Sequence, residues 1–182
     1  MKKIVAIAAV VAACGFVRAQ EEQPQAPKPG KEQELLKQFV GDWEVATKFV
    51  IDPKAKPDEG KGTETGTLTC GGMWLVYDFK GTMMGGDFIG HGTLGWDSTK
   101  NKFVVAWVDN FSVRISLGEG SFDKDGKVLT MLSEETTPDK KLTFKMKHVT
   151  TFKDKDTKTT VFSTEQDGTW VEMGWMEYKR KK

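Results

Sequence analysis

Four regimes of hydrophobicity follow one another along the chain. The first is an almost unbroken apolar run over residues 4–17, preceded by Lys2 and Lys3 and closed by Val17-Arg18-Ala19. A short basic start, an apolar stretch and small or apolar residues at the −3 and −1 positions make the pattern of a leader cleaved after Ala19. Residues 1–19 are therefore expected to be a signal peptide, and the run is shorter than the roughly 20 apolar residues a membrane helix needs. The second regime, residues 20–30 (QEEQPQAPKPG), is polar and carries three prolines. It has too few apolar groups to offset the entropy of ordering and is expected to be a flexible linker. In the third, Leu35, Leu36, Phe39 and Val40 fall on one helical face and Gly41 suits the end of a short helix.

The fourth regime has period two. Candidate strands at 43–50, 62–70, 74–83, 87–96, 102–109, 113–122, 127–135, 141–152, 157–165 and 168–178 recur about every ten residues. Between them stand turn formers such as Asp52-Pro53, Gly71-Gly72, Gly85-Gly86, Asp123-Lys124-Asp125-Gly126, Thr137-Pro138-Asp139 and Asp154-Lys155-Asp156. Connections this short join antiparallel neighbours. About ten such strands with no second long helix leave two bare edges unless the sheet closes, so the expected fold is all-β. It is an up-and-down antiparallel barrel with one short N-terminal helix, a single domain over residues 31–182. Alternation is cleanest over 142–152, where Leu142, Phe144, Met146, His148, Thr150 and Phe152 share the face expected to point inward. The run Phe103-Val104-Val105-Ala106-Trp107-Val108 is apolar on both faces, and the 31–40 helix is expected to cover its outside.

Composition narrows the function classes. Lys and Arg number 27 against 26 Asp and Glu, so no basic surface for nucleic acid is implied. Six Trp and eleven Phe supply large burial for a core. Cleavage after Ala19 leaves Cys70 as the one cysteine, without an internal disulfide partner, and its setting between Leu68-Thr69 and Gly71-Gly72 suggests a small buried filler. A competing leader reading exists: Val11-Ala12-Ala13-Cys14 matches a bacterial lipobox, which would make Cys14 a lipid anchor. The Ala19 site is preferred because the apolar run ahead of Cys14 is short. Either way the protein is expected to be exported, periplasmic or extracellular in a bacterium.

Candidate chemistry is sparse. Gly90-His91-Gly92-Thr93-Leu94-Gly95 has the spacing of a dinucleotide fingerprint, but the residues that follow form a turn and another strand, so no helix N-terminus meets a phosphate. Glycines in strands mark close backbone approach in curved sheets. With His91 and His148 the only histidines and no HExxH, no metal site is expected. Asp123/Asp125 and Asp154/Asp156 do not extend into a calcium loop and read as hairpin turns. Asp78, Arg114 and Glu172 fall within predicted strands, where solvated outer positions are expected.

Gly41-Asp42-Trp43, just after the helix, resembles the G-x-W triplet that opens lipocalins and related calycin barrels. That resemblance implies that Trp43 closes the barrel floor and that Arg180, or Lys179, packs over it. The chain from about 35 to 180 further resembles domain-of-unknown-function family 1579, exported bacterial proteins with a lipocalin-like barrel. The likeness rests on Leu35-Leu36, Gly41-x-Trp43, Gly71-Gly72-x-Trp74-Leu75, Asp78-Phe79-x-Gly81, Gly90-x-Gly92-x-x-Gly95-Trp96-Asp97, Lys102-Phe103, Trp107-Val108-Asp109 and Met176-Glu177-Tyr178-Lys179-Arg180. Haem-binding nitrobindin-type barrels are a weaker match: Trp43 is followed by Glu44-Val45-Ala46 instead of glycines, and no His lies near the C-terminus. No cofactor is expected, haem included.

Three functions are open to such a chain. A binding module would hold a small apolar or amphipathic ligand against Trp107, Phe144, Met146 and His148; this is the expected one. An envelope interaction protein would have a filled barrel. An enzyme would use His148 as acid or base.

Overall fold

The computed structural model describes residues 26–50, 54, 56–83, 85–137 and 141–182. The expected leader, Cys14 and the Asp52-Pro53 turn lie outside the described residues. Helix α1 (Lys31–Leu36) runs into a 3-10 turn, Lys37–Phe39. Gln33 accepts the Gly30 amide proton at 2.9 Å, satisfying a backbone donor ahead of the first turn. Ten strands follow: β1 (Gly41–Phe49), β2 (Asp58–Thr69), β3 (Trp74–Met83), β4 (Gly86–Asp97), β5 (Lys102–Asp109), β6 (Ser116–Phe122), β7 (Val128–Thr136), β8 (Thr143–Phe152), β9 (Thr157–Gln166) and β10 (Thr169–Arg180). Each pairs antiparallel with its sequence neighbour, and β1 also pairs with β10, so the sheet is a closed up-and-down barrel without edges.

The register sorts every strand into an inner and an outer face. Trp43, Val45 and Thr47 of β1 oppose Arg180, Tyr178 and Met176 of β10 and Glu64, Gly62 and Gly60 of β2. Met131 of β7 opposes His148 of β8, which opposes Phe162 of β9. The helical segment plugs one end. Leu36 and Phe39 enter a core with Leu75, Leu94, Phe103, Leu129, Met131 and Phe152, and the Phe39 ring meets Phe152 edge-on at 4.8 Å. Gln38 ties the plug to the β6–β7 turn through the Gly126 carbonyl at 3.0 Å.

Four expectations are corrected. The helix closes the barrel end instead of covering β5, whose outer Val108 stays exposed; its apolar stripe finds more area to bury among inward rings than on a sheet exterior. Strand β6 begins at Ser116, three residues later than expected. Leu142 precedes β8 and is exposed. Cys70 is an exposed free cysteine. It opens a 3-10 turn, Cys70–Gly72, with φ 50°, and a residue that turns the chain away from the sheet carries its side chain away from the core.

Candidate functional site

Inside the plugged end sits a charged pair. Lys158 of β9 donates to Glu64 of β2 at 2.7 Å, and their side chains are 2% and 8% exposed. The ammonium lies 4.3 Å from the Tyr178 ring centroid and 4.7 Å from those of Phe39 and Trp43. Burial pushes the Lys158 amine down and the nearby Glu64 carboxylate pulls it up. Burial, with the Glu64 charge, raises the Tyr178 phenol. Arg180 roofs the outer side of Trp43, its Cζ 4.0 Å from the ring centroid, and donates to the Val40 and Gln38 carbonyls. The Trp43 indole donates to the Phe39 carbonyl at 2.9 Å. Gly41 has φ 115° and a Cβ there would strike Arg180, so glycine is required where the chain leaves the plug. No buried side-chain polar atom of this assembly lacks a hydrogen-bond partner, which makes it a floor.

Away from the plug, Trp107, Ser133, Phe144, Met146, His148 and Phe162 point into the lumen half-buried, beside the buried Thr47, Phe88 and Glu135; Tyr77, half-buried as well, packs against the plug core. Trp107 stacks on Tyr77 at 5.7 Å and lies nearly parallel to Phe88 at 6.5 Å. Glycines make room for these rings: a Cβ on Gly90 would lie 2.1 Å from Trp107, and one on Gly92 2.2 Å from Tyr77. Gly95 serves Trp74 in the same way on the outer face. The fingerprint-like glycines of β4 are thus seats for aromatic rings.

Polar groups stand on the inner face of β7 and β8. His148 lies 4.7 Å from Phe162, ring to ring, and its Nε2 is buried without a hydrogen-bond partner. Ser133 Oγ, on the neighbouring strand, is buried and unpartnered as well. Burial lowers the His148 pKa to about 4, against a smaller upward pull from Glu135, so the imidazole is neutral near pH 7. At the rim Glu135 is taken up by Arg114 and by the Ser116 hydroxyl at 2.8 Å. Arg114 therefore sits in the β5–β6 connection with a buried carboxylate for partner, and is not the solvated strand residue its sequence setting suggested. Its neighbours alternate: Val113 and Ile115 are exposed outside while Ser116 turns in.

The remaining candidates are scattered. His91 is on the outer wall, 2.8 Å from Asp78, and Glu172 is exposed. Asp123 accepts backbone protons from Lys127 and Val128, and Asp154 from Asp156, which is turn chemistry. Among the described residues no group of three or more His, Cys, Asp or Glu could hold a metal ion, and no helix is long and apolar enough to cross a membrane. Two open grooves, of about 520 and 550 Å³, run along and beside strands β1–β4. Lys48 of the first is engaged by Glu59 and Trp175. Glu64, Lys158, Ser133 and Glu135 were missed by sequence reasoning. The one signal for Lys158 is the period-two phase of Lys158, Thr160 and Phe162.

Comparison with known proteins agrees with the fold. No curated protein matches the chain. Among solved structures, the crystal structure of Rv2717c from M. tuberculosis matches at TM-score 0.60 and 12% identity, covering 84% of this chain and 99% of that one. EF1p2_mFAP2b bound to DFHBI matches at TM-score 0.44 and 10% identity, over 82% of this chain and 99% of that one. A family model described as Protein of unknown function (DUF1579) matches residues 28–180. The chain belongs to that family.

Proposed function

We propose that this chain is an exported binding module that takes a small, mainly apolar ligand into the half of the barrel opposite the helical plug. The observation that carries the reading is the lining of the lumen away from the plug: Trp107, Met146 and Phe162 point inward there and retain accessible surface. Concave sites walled by aromatic and thioether groups, with a few convergent polar atoms, are where small molecules bind. Export rests on the leader pattern of residues 1–19. A filled barrel has no use for accessible rings inside it, which favours a binding role over a purely structural one.

The test is titration of the mature protein with the fluorescent probe N-phenyl-1-naphthylamine. Saturable binding is expected, lost in Met146→Trp, which fills the chamber, and kept in Trp175→Ala on the outer wall. Equal binding by the wild type and Met146→Trp, with both folded by circular dichroism, would overturn the reading.

A further inference from the structure

We propose that the molecule held in this chamber is uncharged and carries a hydroxyl or carbonyl oxygen that docks between His148 Nε2 and Ser133 Oγ. The inference rests on the binding reading above and names the polar part of the ligand. Both atoms are buried and both lack a hydrogen-bond partner. Buried polar groups are almost always satisfied, so two orphans on one wall ask for an explanation.

The register puts them together. Met131 faces His148 and Ser133 faces Met146 across the β7–β8 pair, which makes Ser133 and His148 diagonal neighbours on the inner face. Diagonal Cβ atoms in a sheet are about 7–8 Å apart or somewhat less, so one oxygen at about 2.8 Å from each side-chain polar atom bridges them. On its other side Ser133 faces Gly118, which contributes no polar side chain to pair with its hydroxyl, and the space above that glycine is taken by the apolar Val105.

Chemistry decides the class of the group. A neutral imidazole nitrogen either donates or accepts, and a serine hydroxyl does both, so the pair complements a group with one oxygen. A hydroxyl suits either imidazole tautomer; a carbonyl suits the one protonated on Nε2. A charged head group has no counter-ion to meet. Glu135 is committed to Arg114 and Ser116, and Lys158 is committed to Glu64 in the floor. A carboxylate or ammonium would be desolvated without compensation. The rest of the molecule faces Phe162, Met146 and Trp107.

Three probes of one shape separate the possibilities: 2-naphthol, 2-methylnaphthalene and 2-naphthoate, titrated at neutral pH by tryptophan fluorescence quenching. The expected order has 2-naphthol about tenfold tighter than 2-methylnaphthalene, a difference typical of one or two neutral hydrogen bonds, with 2-naphthoate weakest. His148→Leu should erase the tenfold preference while keeping the affinity for 2-methylnaphthalene. Ser133→Ala should reduce it by several-fold, and serves alone if His148→Leu does not fold. Equal wild-type affinity for 2-naphthol and 2-methylnaphthalene, or a preference for 2-naphthoate, overturns this inference and leaves the binding reading standing. Failure of all three to bind overturns both.

Discussion

Replacing Lys158 by Met tests how the barrel floor is held. The ammonium is 2% exposed, bonded to Glu64 at 2.7 Å, and surrounded by three aromatic rings within 4.7 Å. Glu64 lies on β2 and Lys158 on β9, strands separated in the sheet by β1 and β10, so the pair reaches across the lumen. Methionine keeps most of the stem volume but strands a carboxylate that is itself 8% exposed. Removing one partner of a buried pair costs about 3–5 kcal/mol, because the remaining charge is desolvated and alone. In a domain of this size that lowers the melting temperature by on the order of 10 °C. The double variant Lys158→Met with Glu64→Gln removes the stranded charge and should recover most of the loss, since apolar replacements of whole buried pairs are often close to neutral. The assay is urea unfolding of the wild type, both single variants and the double variant, giving the coupling energy of the cycle. A Lys158→Met cost below about 1 kcal/mol, or single costs that simply add, would refute the reasoning that desolvation of the unpaired charge dominates.

Three further outcomes follow from the same geometry. Arg180→Ala loses the stack on Trp43 and the bonds to the Val40 and Gln38 carbonyls, and should cost about 1–3 kcal/mol in urea unfolding, with Arg180→Lys recovering only part. His148 has a folded pKa of about 4 against an ordinary 6.5, so the unfolded chain takes up the proton first as pH falls. Its contribution is complete above about pH 6.5 and is lost toward pH 4, and between pH 7 and 4.5 the wild type should lose about 2 kcal/mol more than His148→Leu. Gly92→Ala places a methyl group 2.2 Å from the Tyr77 ring and should displace it from Trp107, changing tryptophan emission. Overpacking of this kind costs about 1–3 kcal/mol; unaltered emission and stability would count against the ring-seat role.

What the sequence made legible depended on whether the signal was local. Turn formers every ten residues and the alternation through Phe144, Met146 and His148 exposed the strands, and edge exposure then demanded closure. Strand β2 was harder. Its inward positions are Gly60, Gly62, Glu64 and Gly66, with a first apolar residue only at Leu68, so hydrophobic alternation is blank and its start at Asp58 was placed four residues late. Those glycines are small because Phe79, Thr47 and the Phe39 carbonyl occupy the space, a fact of tertiary packing. Lys158 and Glu64 read as solvated charges because each is explained only by a partner 94 residues away. The orphaned Ser133 is invisible for the same reason: a serine in a strand becomes unusual only when nothing faces it. Cys70 misled because its flanks suggested a strand end, whereas a left-handed turn sends the thiol outward.

The central claim, that the half of the lumen away from the plug holds a ligand, is tested most directly by methyl NMR of protein labelled at the methionine ε-carbons, titrated with N-phenyl-1-naphthylamine. Met146 faces the lumen away from the plug, Met131 packs in the plug-side core, and Met73 lies outside the barrel strands at the plug end. A ligand in the far half predicts that the Met146 resonance shifts and saturates with one equivalent of probe while Met73 stays still. A shift at Met73 with Met146 unmoved, or no saturable shift at Met146, would contradict it.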